Sequence, residues 1–219
     1  MEIKSVTKSV VEYLRSEIIT GRLGAGQKIN ENDLASKLDI SRHPIREAFR
    51  ILENEHLVIS IPRKGTCVSD TSIEDLQGLY QVREMIECYA VDLLKAKNIK
   101  DLPQVEMALE TALRLSIPSN EDPEQILNFH EVLARFHFKL IEATGNSRLV
   151  HFYKSIFFNL TRYQFRYLRI PGSVEKNLKE HRQVLDAIKK GDYNQAKENL
   201  RYHIMKRLQE PLNHHLTKP

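Results

Sequence analysis

The stretch that decides the fold runs from Glu31 to Leu57 and reads ENDLASKLDISRHPIREAFRILENEHL. It predicts two short helices joined by a turn at residues 38–40. The second helix follows Ser41, a residue type favoured at a helix N-cap. Its apolar residues recur with the spacing of one helical face, namely Ile45, Ala48, Phe49 and Leu52. We therefore predict a helix-turn-helix whose second helix buries that face.

The opposite face of the second helix carries polar and basic side chains that could contact DNA. Arg42, His43, Arg46 and Arg50 lie between the apolar positions. A helix that presents arginines from its first turns suits the major groove of DNA, where a guanidinium can bind guanine O6 and N7 together. The stretch thus predicts a recognition helix and a DNA-binding protein.

The flanking sequence predicts the rest of a winged domain. Residues 8–20 repeat apolar groups with a helical period, which indicates a first helix. After Leu57, two short β-rich runs surround the turn Arg63-Lys64-Gly65, as in a hairpin. This basic turn is either a wing tip that contacts phosphates or the minor groove, or an ordinary solvated turn. Residues 1–70 are the predicted winged helix-turn-helix domain.

Residues 71–219 show no further strand pattern. Helical segments are separated by short Pro- or Gly-containing breaks, and they span Thr71–Lys97, Asp101–Leu115, Asp122–Ala143, Ser147–Leu168, Ser173–Lys190 and Tyr193–Glu210. Short connections favour antiparallel neighbours. The fold class is therefore mainly α, with an N-terminal winged helix-turn-helix and a C-terminal antiparallel bundle of about six helices.

Charge and composition limit the classes of function. The whole chain carries a net charge of +4, but residues 1–70 hold 11 Lys+Arg against 10 Asp+Glu, a net of +1. DNA binding should then depend on a few phosphate contacts supplied twice by a dimer. Cys67 and Cys88 form no CxxC pair, and no signal peptide or membrane span is visible. We expect a cytoplasmic protein with no membrane partner.

Three histidines lie on three different predicted bundle helices. His137, His181 and His203 are so far apart in sequence that they can meet only inside the bundle. Histidine is the commonest ligand of Zn²⁺, so the three are either metal ligands or ordinary packing residues. A metal-dependent hydrolytic enzyme is the alternative function for such a triad. No HExxH motif, nucleophile elbow or phosphate loop accompanies it, so we expect no enzyme.

Taken together, the N-terminal motifs resemble the winged-helix domain of the GntR family of bacterial transcription regulators. The resemblance rests on SRHPIREAFRILE at 41–53, Asn32-Asp33-Leu34-Ala35, Leu57-Val58 and Lys64-Gly65. The helical part is similar to the FadR-type effector domain called FCD. Its matching segments are Leu79-Tyr80-Gln81-Val82-Arg83 with Glu87, Phe136-His137, Ala143-Thr144-Gly145-Asn146, His181-Arg182, Gly191-Asp192, Ala196 and His203.

The resemblance implies a homodimeric regulator, most often a repressor, that binds a short palindromic operator in double-stranded DNA. A small organic acid bound in the helical domain would control its operator affinity. The DNA-contacting positions of the family fall on Asn32, Ser41, Arg42, His43, Arg46, Lys64 and Gly65. Arg50, from the same polar face, completes the candidate set, although a salt bridge with Glu47 explains it better than a base contact.

The resemblance also implies candidate residues in the helical domain. One subgroup of the family binds a divalent metal, here expected to be Zn²⁺ at His137, His181 and His203. Its additional Asp ligand, one turn before the first histidine, is Leu133 in this chain. Arg83, four residues before Glu87, either pairs with that glutamate in a structural role, which we favour slightly, or binds a carboxylate effector, and Asn146 is a second candidate effector contact. Arg162 and Arg166 either line the same pocket or face solvent.

Overall fold

The computed structural model describes residues 5–116, 122–167 and 172–214 of the chain. Within these ranges the chain forms nine helices and one two-stranded sheet. It divides into two compact units. The first comprises residues 1–72 together with 155–162, and the second comprises 73–154 and 163–219.

The first unit contains the predicted helix-turn-helix. Its elements are α1 (Val6–Ile19), α2 (Glu31–Leu38), α3 (Arg42–Asn54), β1 (Val58–Ile61) and β2 (Gly65–Val68). Asp39 ends α2 in the left-handed conformation, with φ at 52°, which short polar residues tolerate better than most others. The chain thereby turns sharply between α2 and α3.

One hydrophobic core joins the helices of this unit to the hairpin. Its buried members are Val10, Val11, Leu14, Ile18, Ile29, Leu34, Ile45, Ala48, Phe49, Leu52, Leu57, Val58 and Val68. The four apolar positions predicted on α3 are all among them. At the edge of the core, Arg15 donates two hydrogen bonds to Glu55, at 3.0 and 2.6 Å. This bidentate pair fixes α1 to the C-terminal end of α3.

The predicted wing is an antiparallel hairpin. β1 pairs with β2 from Val58–Val68 to Ile61–Gly65. Gly65 has φ at 93°, a conformation that glycine adopts without strain and that allows the tight turn. The chain preceding α2 also lies along β2, since the Ile29 amide donates to the Thr66 carbonyl at 2.9 Å.

The predicted six helices belong to the second unit, except that residues 155–162 of the fourth of them are part of the first. They are α4 (Ile73–Ala96), α5 (Pro103–Arg114), α6 (Pro123–Glu142), α7 (Ser147–Tyr167), α8 (Ser173–Lys190) and α9 (Tyr193–His214). The prediction that the last helix ends before Pro211 was wrong: the helix runs to His214, although a proline removes one N–H from the helical ladder and crowds the carbonyl four residues before it. None of the described helices combines the length and apolar content needed to cross a membrane.

Helix packing in this unit forms a closed ring. α4 packs on α6 and α9, α9 packs on α8, α8 packs on α5, and α5 packs on α6. Gly191, with φ at 80°, ends α8 and lets the chain reverse directly into α9. Because each of these helices has two packed neighbours, side chains from four of them can meet in the interior of the ring.

The helix-turn-helix core offers a matched test of packing. Leu52 is fully buried and its neighbour Ile51 is 41% exposed. We expect Leu52→Ala to lower the free energy of unfolding by about 2–5 kcal/mol, because it leaves a cavity, and Ile51→Ala to change it by less than about 0.5 kcal/mol. Urea denaturation followed by circular dichroism measures both. Equal effects would contradict the assigned inward face of α3.

Candidate functional site

The predicted DNA-binding residues lie on the surface of the first unit. Asn32, Ser41, Arg42, His43, Arg46, Arg50, Lys64 and Gly65 are all exposed. Arg46 Nε donates to Glu31 of α2 at 2.8 Å, so an ion pair holds the guanidinium at the exposed face. Arg50 pairs with Glu47 at 2.9 Å, as the salt-bridge interpretation expects.

The three histidines meet inside the ring of helices. His137 on α6, His181 on α8 and His203 on α9 are all buried. One ring nitrogen from each lies within 4.8 Å of the other two, and the Nε2 atoms of His137 and His181 are 3.0 Å apart. Three imidazole nitrogens therefore converge on one small volume.

Two carboxylates fix the orientation of two of these rings. Glu87 lies 2.7 Å from Nδ1 of His137, and Glu180 lies 2.8 Å from Nδ1 of His203. An Nδ1–H that donates to a carboxylate leaves the lone pair on Nε2, which here faces the other histidines. Metal-binding histidines are held by the same carboxylate contact.

His181 is oriented differently. Its ring stacks on Phe136, with the ring centroids 4.2 Å apart and the planes within 5°. Its Nδ1 is buried and has no hydrogen-bond partner among the residues that the structure describes. The ring is thus held by stacking, with Nε2 directed at His137.

A buried ion pair supports the triad. Arg83 and Glu87, one turn apart on α4, are 2% and 0% exposed. Glu87 accepts hydrogen bonds from Arg83 Nε at 2.7 Å, from His137 and from Tyr153. Burial is the largest single influence and acts to raise the pKa of Glu87, but the charge of Arg83 together with the contacts of His137 outweighs it and holds that pKa well below its usual range. The carboxylate is therefore ionised and fully hydrogen-bonded.

Arg83 also reaches the converging nitrogens. Its Nη2 lies 2.8 Å from Nε2 of His137 and 3.5 Å from Nε2 of His203. Burial lowers the pKa of His137 to about 4 and also lowers the pKa values of His181 and His203. All three rings are neutral at pH 7, so their lone pairs can accept from a guanidinium or bind a cation.

A small cavity of about 30 Å³ adjoins the triad. Besides Arg83 and the three histidines it is lined by Tyr80, His130, Leu133, Ala134, Gln164 and Asn177. His130 bonds to Gln164 through Nε2 at 2.7 Å and does not belong to the converging group. Leu133 gives the cavity an apolar wall where an acid would supply a metal ligand. The cavity has room for about two water molecules.

Other candidates lie elsewhere. Asn146 is not among the described residues that line the cavity; its side chain accepts from the amides of Arg148 and Leu149 and caps α7. The structure thus gives Asn146 a capping role, and its effector contact stays a prediction. Arg162 donates to the Ser69 carbonyl at 2.8 Å, and the side chain of Arg166 lies outside the described residues.

Sequence reasoning missed Glu180, which carries no signal beyond being one residue before His181.

A winged helix-turn-helix with an arginine-bearing recognition helix, followed by an all-helical unit with a buried polar cavity, defines a class of DNA-binding regulator. The profile of bacterial regulatory proteins of the gntR family matches residues 6–68, and that of the FCD domain matches residues 78–206. The chain belongs to the GntR family, in the subfamily that carries an FCD domain. It is a DNA-binding transcriptional regulator.

Individual relatives agree with this assignment. YdhC, an uncharacterized HTH-type transcriptional regulator of Bacillus subtilis (strain 168), is 32% identical over 87% of this chain and 84% of its own length. The gluconate operon transcriptional repressor of the same organism is 30% identical over 66% of this chain and 58% of its own. These relatives and the family are transcriptional regulators, so the metal-dependent hydrolase is set aside.

A solved structure supports the fold. A GntR transcriptional regulator from Rhodococcus sp. RHA1 superposes with a TM-score of 0.73, covering 97% of this chain and all of that one at 24% identity. At that identity the likeness concerns the fold alone.

The buried ion pair at the triad makes a prediction about stability. Glu87→Gln leaves the Arg83 charge buried without its partner, and we expect it to lower the free energy of unfolding by about 3–5 kcal/mol. The matched control is Glu84→Gln, three residues earlier, because Glu84 pairs with the half-exposed Arg201 and such pairs contribute little. Chemical denaturation of both variants measures the difference. A Glu87→Gln protein as stable as the control would contradict the assigned role of Glu87.

Proposed function

We propose that this regulator is a cytoplasmic repressor that binds a short palindromic operator as a homodimer. We further propose that a small carboxylate effector, bound beside a divalent metal in the helical unit, controls its operator affinity. Two named relatives, the gluconate operon repressor and the probable D-xylose utilization operon repressor of Paenarthrobacter nicotinovorans, support repression. The observation that carries the proposed control is the convergence of three neutral imidazoles beside a buried guanidinium.

The recognition helix supports the mode of DNA binding. Arg42 and Arg46 are exposed in its first two turns, and each can present a guanidinium fork to guanine. The ion pair with Glu31 limits the freedom of Arg46 before DNA is bound. Since residues 1–70 carry a net charge of only +1, one copy offers few phosphate contacts, and two copies on a palindrome double them.

The triad suits Zn²⁺ in donor type and arrangement. His137, His181 and His203 would hold the ion through their Nε2 atoms, and Glu87 and Glu180 would orient two of the rings. Bound there, the ion supplies a Lewis-acidic position that a carboxylate can occupy. Among the described residues the cluster contains no carboxylate ligand, so an exogenous anion is needed to offset its charge.

Arg83 gives the site a second way to bind that anion. In the structure its Nη2 lies 2.8 Å from Nε2 and 3.3 Å from Nδ1 of His137, so the positive guanidinium lies directly against the ring that would ligate a cation. A cation held by the triad would repel this guanidinium and favour a position of Nη2 in the cavity, where Arg83 and a carboxylate can form a charge-assisted pair. We infer that the effector carboxylate is held between Arg83 and the triad.

The size of the cavity explains why binding there can act as a signal. A volume of about 30 Å³ is smaller than an organic acid, so we expect the lining side chains to move apart when the effector binds. An effector shifts an equilibrium only if it prefers one conformation over another. Because the cavity is too small for the effector in this conformation, the effector would prefer a conformation in which the cavity is wider.

Operator binding is tested on the recognition helix. We expect Arg46→Ala to abolish specific binding to the DNA upstream of the protein's own gene, because it removes a base contact worth about 1–3 kcal/mol in each of two copies. The control Arg148→Ala removes an exposed arginine from the helical unit and should bind normally. A gel-shift assay measures both, with circular dichroism as the check of folding. Unchanged operator affinity of Arg46→Ala would contradict the assignment of Arg46 as a base-contacting residue.

Metal binding is tested by elemental analysis. Wild-type protein purified without chelator or affinity tag should contain about one equivalent of zinc per chain, and the double variant His181→Ala/His203→Ala should contain none. Leu133→Asp adds an anionic group to the cavity wall and should tighten zinc binding measured by competition with a chelator. Absence of metal from both the wild-type and the Leu133→Asp proteins would leave three packing histidines.

A further inference from the structure

One face of α4 is uncharged and exposed. Between Leu76 and Val91, a segment that the structure describes in full, the solvent-facing side chains are Gln77, Gln81, Val82, Met85 and Tyr89. Val82, Met85 and Tyr89 are 38%, 65% and 50% exposed. In a chain with 28% charged residues, a helix face of about three and a half turns without an exposed charge is unusual, and contiguous exposed apolar groups mark interaction sites.

The charged residues beside this face already have partners on α9. Glu84 bonds to Arg201 at 3.0 Å, and Asp92 bonds to Lys197 at 2.8 Å. Both pairs secure α4 to its neighbour in the ring. Within the part of the chain that the structure describes, no element covers the stripe of Val82, Met85 and Tyr89, which we call the α4 stripe.

We propose that the α4 stripe is the surface through which two copies of this chain associate, with the two α4 helices antiparallel and crossing at Met85. The inference rests on the proposed homodimer and names its interface. In this register Met85 meets its own copy, and Val82 lies near the partner's Tyr89. A two-fold interface must be self-complementary in this way.

The ends of α4 carry the complementary charge. Its first turn is acidic, with Glu74 and Asp75, and its last turn has the basic Lys95. Antiparallel pairing about Met85 brings the acidic turn of each copy beside the partner's Lys95. It also sets the two helix dipoles in opposition, which is favourable. A second copy therefore matches this face in both apolar surface and charge.

Met85→Glu tests the interface directly. It places two carboxylates against each other at the two-fold axis, and we expect the dissociation constant of the dimer to rise by more than about 100-fold. The matched control is Met107→Glu, because Met107 on α5 is 57% exposed and lies outside the α4 stripe. Sedimentation-equilibrium ultracentrifugation of the full chain measures both. A Met85→Glu protein that dimerises as tightly as the control overturns the inference.

Met85→Cys provides a test that does not depend on destabilising the chain. At the two-fold axis two such cysteines face each other, and an added copper–phenanthroline oxidant should join them in a disulfide-linked dimer. Cys67 and Cys88 are buried, so the wild-type protein and Met107→Cys should stay uncrosslinked. A Met85→Cys protein that remains monomeric on a non-reducing gel overturns the proposed register.

The outcomes separate this inference from the proposed function. If Met85→Glu does not weaken the dimer and Met85→Cys does not crosslink it, the two copies associate through another face. That result contradicts the α4 stripe as the interface but not the homodimer. A wild-type chain that sediments as a monomer contradicts both the homodimer and the α4 interface. Operator binding is judged independently by the gel shift.

Discussion

The buried pair of Arg83 and Glu87 is the constraint on which the helical unit depends. A guanidinium and a carboxylate in a protein interior are stable only when both are fully hydrogen-bonded, and here Glu87 achieves this by also accepting from His137 and Tyr153. The pair therefore does more than hold α4 in the ring. It sets the tautomer of His137 and aims its lone pair at the other two histidines.

The same arrangement connects structure to regulation. Without a cation, Arg83 lies against the imidazole nitrogens of the triad. With a cation bound there, the same side chain could bind the carboxylate of an effector. Leu133 removes the acid that would otherwise neutralise a bound metal, so the proposed site depends on its effector for charge balance. Metal and effector would then each increase the affinity for the other, as linkage requires.

Local patterns in the sequence were enough for the fold but only partly for the site. The spacing of Ile45 and Leu52 predicts the buried face of α3, since helical periodicity is a local property. His137, His181 and His203 could be grouped by helix and family resemblance. The contacts of Glu180 with His203 and of Arg83 with Nε2 of His137 depend on how distant helices pack. The capping role of Asn146 was not foreseen, because a capping asparagine and a ligand-binding asparagine look alike in sequence.

The central claim is that three imidazoles, oriented by buried carboxylates, form a cation site beside Arg83. Anomalous diffraction at the zinc edge, from crystals grown with Zn²⁺, tests it most directly. We expect a single strong anomalous peak within about 2.0–2.1 Å of Nε2 of His137, His181 and His203, with the Arg83 guanidinium turned toward the cavity. Crystals with no peak at the triad, and Arg83 still bonded to His137, would contradict it.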